Sequence, residues 1–204
     1  MSIKMYINKG WKHFPSVFTK EEIEPILAIG LDMRKTTEEF STWSGISCAG
    51  RFNNDLFDLY TSQKMLDLSK RILGDTVYFF NDQVVIKLPN ENFHFEAHYD
   101  NQYGPNKENK IHTCNFCVIL SDMDKTNGTL EVKNHDTGEW NRLVLKQGDV
   151  VAIRGDTYHR SGINTSQSPR GLYACVYTEQ PLELKDFYYT EFNKANVVIQ
   201  ETTK

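Results

Sequence analysis

The sequence predicts a mostly β domain, a sandwich or barrel, preceded by N-terminal helices. Three observations carry this. Apolar residues recur at helical spacing only in the first third of the chain. After Gly74 they fall in short runs separated by turn residues. No helical pattern lies between those runs, which argues against a parallel α/β sheet. The 204 residues suffice for one hydrophobic core and leave little room for a second. We therefore read residues 1–204 as a single domain. Residues 1–74 form helical support with room for a lid, 75–180 the β core, and 181–204 a C-terminal extension.

The elements follow in order. Thr19-Lys20-Glu21-Glu22 fits a capping box. Behind it Ile23, Ile26, Leu27 and Leu31 share one helical face. Pro25 within this stretch is expected to delay or kink the helix. The irregular segment from Lys35 to Asp58 carries Trp43, Gly45, Gly50, Arg51 and Asn53-Asn54. It reads either as a lid or as a surface loop over a partly buried Trp. A second helix runs from Thr61 to Leu73, with Met65, Leu68, Ile72 and Leu73 as its stripe and Gly74 at its end. Strands are expected at Val77 to Phe80, Gln83 to Leu88, Phe93 to Tyr99, Thr113 to Leu120, Thr129 to Val132, Asn141 to Leu145, Val150 to Arg154 and Leu172 to Thr178. Asn127-Gly128 signals a tight turn.

Composition excludes several classes. A net charge of -4 offers no basic excess for a phosphate backbone, so no nucleic-acid partner is expected. No apolar run approaches the ~20 residues of a membrane span. The start, Met1-Ser2-Ile3-Lys4, lacks the apolar core of a signal peptide, so a cytoplasmic location is expected. Cys114 and Cys117 form a C-x-x-C within a strand. Residues three apart there point to opposite faces, so the two thiols are not expected to grip one ion. Cys48 and Cys175 are read likewise as small buried side chains.

The sharpest local signal is His98-Tyr99-Asp100. On a strand, residues two apart face the same side, so an imidazole and a carboxylate project together. An isolated pair of this kind is common, and a third ligand must come from elsewhere. His159, after the apolar strand Val150-Val151-Ala152-Ile153 and the turn Gly155-Asp156, is the best candidate. Two His and one carboxylate leave coordination positions open, which suits Fe(II). His94 also falls on this face and is a candidate to line the pocket. His94 to His98 is not a zinc-protease motif, because Glu96 stands in the wrong place. His13, His112 and His135 lack partners at ligand spacing.

Arg170 stands eleven residues beyond His159, at the start of the strand Gly171 to Tyr177. A hairpin-like return would set its guanidinium fork beside the metal, where it suits one end of a dicarboxylate. Ser161 offers a hydroxyl to the same carboxylate. Lys87, in the apolar run Val84 to Leu88, is a second cation, and an inward charge there implies a bound anion. Each alone also fits an outward-facing residue on an edge strand.

At these residues the chain resembles the phytanoyl-CoA dioxygenase family of Fe(II)/2-oxoglutarate oxygenases. Gly10-Trp11 through Phe18-Thr19-Lys20-Glu21-Glu22 is similar to the family's first strand and helix. Lys87-Leu88-Pro89 precedes His98-Tyr99-Asp100 as in the family, and Leu120-Ser121-Asp122 with Asn127-Gly128-Thr129-Leu130 resembles its central turn. The most specific part is Gly148-Asp149-Val150-Val151, then His159 through Ser166, then Pro169-Arg170. The resemblance implies a double-stranded β-helix, a cupin-like jelly roll. It implies Fe(II) at His98, Asp100 and His159, with 2-oxoglutarate held by Arg170, Ser161 and Lys87. Dioxygen is then the second cosubstrate, with ascorbate as an accessory reductant. The expected reaction is hydroxylation of a small molecule with release of succinate and CO2. Asp100 disfavours halogenation, since halogenating relatives lack that carboxylate. The chain departs from the family at Lys133-Asn134-His135, where G-S-H is usual, and at Tyr99, where many members carry Gln. Tyr99, Gln102, Tyr103, Trp43 and Arg51 are substrate-contact candidates by proximity in sequence alone. Two rivals stand beside this reading. A cupin-like metal enzyme without 2-oxoglutarate would tolerate charge reversal at Arg170, and a non-enzymatic jelly-roll binding module would bind no iron.

Overall fold

The computed structural model describes residues 4–36, 45–103, 106–108 and 110–182. Helices α1 (Lys4–Lys9), α2 (Lys20–Thr36), α3 (Asn54–Thr61) and α4 (Gln63–Leu73) accompany ten strands. These are β1 (Trp11–Phe14), β2 (Gly45–Ser47), β3 (Tyr78–Lys87), β4 (Phe95–His98), β5 (Thr113–Ile119), β6 (Leu130–Lys133), β7 (Trp140–Arg142), β8 (Val150–Arg154), β9 (His159–Ser161) and β10 (Arg170–Thr178). They form a six-stranded sheet of order β1-β8-β5-β10-β3-β2 and a four-stranded sheet of order β4-β9-β6-β7. The pairings are antiparallel, as a jelly roll requires.

Alternation along the strands divides the core in two. On β5, Cys114, Phe116 and Val118 face the helices, while Cys117 and Ile119 face the smaller sheet. The two thiols of the C-x-x-C therefore lie on opposite faces, and all four cysteines are free and buried. Ile23, Ile26, Leu56, Met65 and Leu68 cover the outer face of the large sheet. Val85, Leu130, Val132, Leu172 and Ala174 pack between the sheets.

The capping box forms: the Thr19 backbone N–H donates to Glu22 at 2.7 Å, and the Glu22 N–H to the Thr19 hydroxyl at 3.4 Å. Pro25 does not delay α2, which starts at Lys20 and contains it. Its missing N–H falls near the helix start, where it removes one backbone bond.

Four elements escaped the sequence reading, α1 among them. Helix α3 is capped by Asn53, whose side chain accepts the Asp55 and Leu56 N–H groups. Strand β2 pairs with β3 inside the segment read as irregular. It leads into a turn held by buried Asp82, whose carboxylate accepts the Gly50 N–H and the Tyr173 hydroxyl, each at 2.7 Å. Burial pushes the Asp82 carboxyl upward. Strand β9 is the short arm that carries the most informative residues of the chain.

Candidate metal and anion site

His98 closes β4 and His159 opens β9, and the two stand directly opposite each other in the register. Their ring centroids are 4.3 Å apart. Asp100 is not on the strand: it begins a 3-10 turn, Asp100–Tyr103, that folds the carboxylate back over the pair. Its Oδ1 lies 3.5 Å from His159 Nε2. One ligand atom from each of the three residues fits within a 4.8 Å span.

Backbone carbonyls fix both imidazoles. His98 Nδ1 is 2.7 Å from the Glu96 carbonyl, and His159 Nδ1 is 3.1 Å from that of Thr157. A carbonyl only accepts, so each Nδ1 carries the hydrogen and each Nε2 keeps its lone pair for a cation. Burial first, then neighbouring His159, lowers the His98 pKa and favours the neutral ring. Asn115 on β5 donates its amide to Asp100 Oδ2 at 3.0 Å, which leaves Oδ1 turned to the histidines.

These groups line a small cavity between the two sheets. Arg170 stands in its wall. The side chain is 1% exposed, yet Nε, Nη1 and Nη2 make no hydrogen bond to any of the described residues. Desolvation lowers the guanidinium to about 10, so it stays charged at neutral pH. A buried, charged fork with its donors unused matches a carboxylate in both charge and shape.

Ser161 lines the same cavity. Lys87 does not: its Nζ sits behind Ser161, at 2.8 Å from the Ser161 hydroxyl, 3.3 Å from the Ser161 carbonyl and 2.6 Å from that of Gly162. Lys87 is also the direct register partner of Arg170 across β3 and β10. The Asn127-Gly128 turn supports the same corner. Gly128 has φ +69°, and a Cβ there would lie 2.1 Å from the Gly162 carbonyl oxygen.

The substrate candidates fare differently. Tyr99, just past the end of β4, is not among the cavity-lining residues and packs edge-on against Tyr158 at 5.1 Å. Neither Gln102 nor exposed Arg51 is among the cavity-lining residues. Trp43 lies outside the described residues, as does the side chain of Tyr103. His94 points to solvent and meets Glu96 at 2.7 Å. The reading missed Gln83, Asn115, Leu172 and Ala174, which do line the cavity. Their signal was period two: Gln83 and Val85 lead to Lys87, and Leu172 and Ala174 follow Arg170.

The fold places the chain among the cupin-type jelly rolls. It belongs to the phytanoyl-CoA dioxygenase (PhyH) family, whose model matches residues 46–172. No curated protein matches it by sequence. Among solved structures, the non-heme α-ketoglutarate-dependent carbocyclase SnoK from nogalamycin biosynthesis superposes with TM-score 0.80 at 15% identity, over 95% of this chain and 88% of that one. The epimerase SnoN, in complex with Fe3+, α-ketoglutarate and nogalamycin RO, gives 0.73 at 19%, over 87% and 82%. EctD from S. alaskensis, with 2-oxoglutarate and 5-hydroxyectoine, gives 0.73 at 15%, over 89% and 77%. At these identities the likeness concerns the fold.

Proposed function

We propose that the protein is an Fe(II)- and 2-oxoglutarate-dependent dioxygenase that hydroxylates a small molecule and releases succinate and CO2. One observation carries the reading: the unpartnered Arg170 guanidinium shares a cavity with the His98, Asp100 and His159 cluster. A cupin-like enzyme without 2-oxoglutarate has no use for that buried charge. Solved structures of similar fold are named as an epimerase and a carbocyclase, so outcomes other than hydroxylation also fit this architecture.

His98 Nε2, Asp100 Oδ1 and His159 Nε2 would hold the iron. The iron supplies the activation of dioxygen and the oxidative decarboxylation of the keto acid, with ascorbate keeping it reduced. The chain's own residues position and shield. Arg170 clamps the far carboxylate of 2-oxoglutarate, and Ser161 adds a hydroxyl to the same end. The Glu96 and Thr157 carbonyls keep the ring hydrogens on Nδ1. Phe95, Leu130, Leu172 and Val85 make the wall apolar and limit water.

The reading of residues 1–204 as one domain is supported by β1 and β2, which extend the main sheet from within the first 74 residues. The cytoplasm suits a chain whose four cysteines are all free. Among the described residues no helix is long and apolar enough to cross a membrane.

The test is succinate formation. Protein with Fe(II), ascorbate and 2-oxoglutarate should release succinate slowly without substrate, and His98→Ala and Arg170→Ala should abolish it. Absence of turnover together with absence of a thermal shift from metal plus 2-oxoglutarate would overturn the proposal.

A further inference from the structure

Lys87 and Arg170 are register partners, and both side chains are buried, at 0% and 1% exposure. Like charges directly opposite each other on a sheet repel. Two further charges bear on the pair. Glu91, in the turn after β3, raises the Lys87 affinity for a proton and is itself paired with Arg34 of α2. The Phe93 and Phe95 rings cover the Lys87 nitrogen at 5.7 and 5.3 Å and carry no charge.

The three oxygens around Lys87 Nζ have unequal roles. The carbonyls of Ser161 and Gly162 only accept, whereas the Ser161 hydroxyl also donates. A neutral amine has two N–H groups and one lone pair. It gives both hydrogens to the carbonyls and takes the Ser161 hydroxyl hydrogen on its lone pair. An ammonium has three N–H groups and no lone pair. It donates to all three oxygens, and the Ser161 hydrogen is displaced toward the cavity. The heavy atoms need not move; one proton enters from solvent and one hydroxyl rotates.

We infer that Lys87 is a proton-coupled positioning residue: the seat at Arg170 takes a carboxylate together with a proton, which settles on Lys87 and turns the Ser161 hydroxyl toward the anion. This rests on the reading of Arg170 as the 2-oxoglutarate seat. Without an anion, burial first and the Arg170 charge second hold the Lys87 ammonium down at about 6, so the amine is neutral at pH 7.5. A carboxylate on Arg170 cancels the second cause and adds an attraction of its own, which draws the proton in. Lys87 thereby acts through Ser161 and does not itself touch the cosubstrate.

Calorimetry reads this directly. Mn(II)-loaded protein is titrated anaerobically with 2-oxoglutarate at pH 7.5, in buffers of different ionisation enthalpy. Prior metal loading removes ligand-histidine protons from the balance. Wild type should take up roughly half a proton or more per 2-oxoglutarate, and its affinity should fall by up to about tenfold from pH 7 to 8. Lys87→Arg, permanently charged, and Lys87→Met, never charged, should bind with no uptake and a flat pH profile. Binding without proton uptake in wild type, or unchanged uptake in the variants, overturns this inference and leaves the dioxygenase reading standing. Failure of 2-oxoglutarate to bind the loaded wild type overturns both.

Discussion

Replacing Arg170 by Met should make the ligand-free protein more stable while removing its cosubstrate site. The guanidinium is 1% exposed and none of its three nitrogens has a hydrogen-bond partner among the described residues. An uncompensated buried ion carries a penalty of several kcal/mol, and exchanging it for an apolar side chain of similar length recovers a part of that, about 2–3 kcal/mol. In a chain of this size each kcal/mol moves Tm by about 2–4 °C, so the melting temperature should rise by roughly 4–12 °C. With 2-oxoglutarate present the order changes. Removing one partner of a buried charge pair weakens binding by about 2–5 kcal/mol, or roughly 30- to 4,000-fold. The assay is a thermal melt of wild type and R170M, metal-loaded, with and without 2-oxoglutarate. Wild type should be stabilised by the keto acid and the variant should not. A ligand-free variant that melts below wild type, or one that keeps the 2-oxoglutarate shift, would refute the argument that this charge is held unpaired for an anion.

Asn115→Leu removes the amide that holds Asp100 Oδ2, and should weaken metal binding by about 10- to 100-fold in an equilibrium titration. Asp82→Ala leaves the buried Tyr173 hydroxyl and the Gly50 N–H without their acceptor, and should lower stability by about 3 kcal/mol in urea unfolding. Gly128→Ala combines a positive φ with a Cβ against the Gly162 carbonyl, and should lose at least about 1 kcal/mol in the same measurement. The His98 pKa is lowered on folding, so below its ordinary 6.5 the unfolded chain binds more protons than the folded one. Stability of the metal-free protein should therefore decline as pH falls through 6.5 toward the lowered value. Metal affinity should decline over the same range, and His98→Gln should flatten the stability profile.

The fold class was legible because strands alternate and helices do not. The β5 run from Thr113 to Ile119 and the α4 stripe stand within two residues of their expected bounds. Strand β2 was illegible because three residues, one of them Gly45, carry no period. Helix α3 was hidden by its position directly before α4, with Ser62 serving as both C-cap and N-cap. The spacing from His159 through Ser161 to Arg170 was legible as chemistry, and the structure gathers all three at one cavity. Lys87 was recognised as an inward cation, but its place opposite Arg170 depends on the β3 and β10 register, which no linear motif encodes. Tyr99, Gln102 and Arg51 are absent from the cavity wall for a plain reason. Tyr99 and Arg51 were chosen by nearness in sequence, whereas the cavity wall is drawn from strands far apart in the chain.

The most direct measurement is a crystal structure of the protein with Mn(II) and 2-oxoglutarate under anaerobic conditions. The metal should be bonded to His98 Nε2, Asp100 and His159 Nε2. The keto-acid end of 2-oxoglutarate should complete its coordination, and the far carboxylate should lie on the Arg170 fork within reach of the Ser161 hydroxyl. A metal seated elsewhere, or 2-oxoglutarate bound without contact to Arg170, would contradict the account.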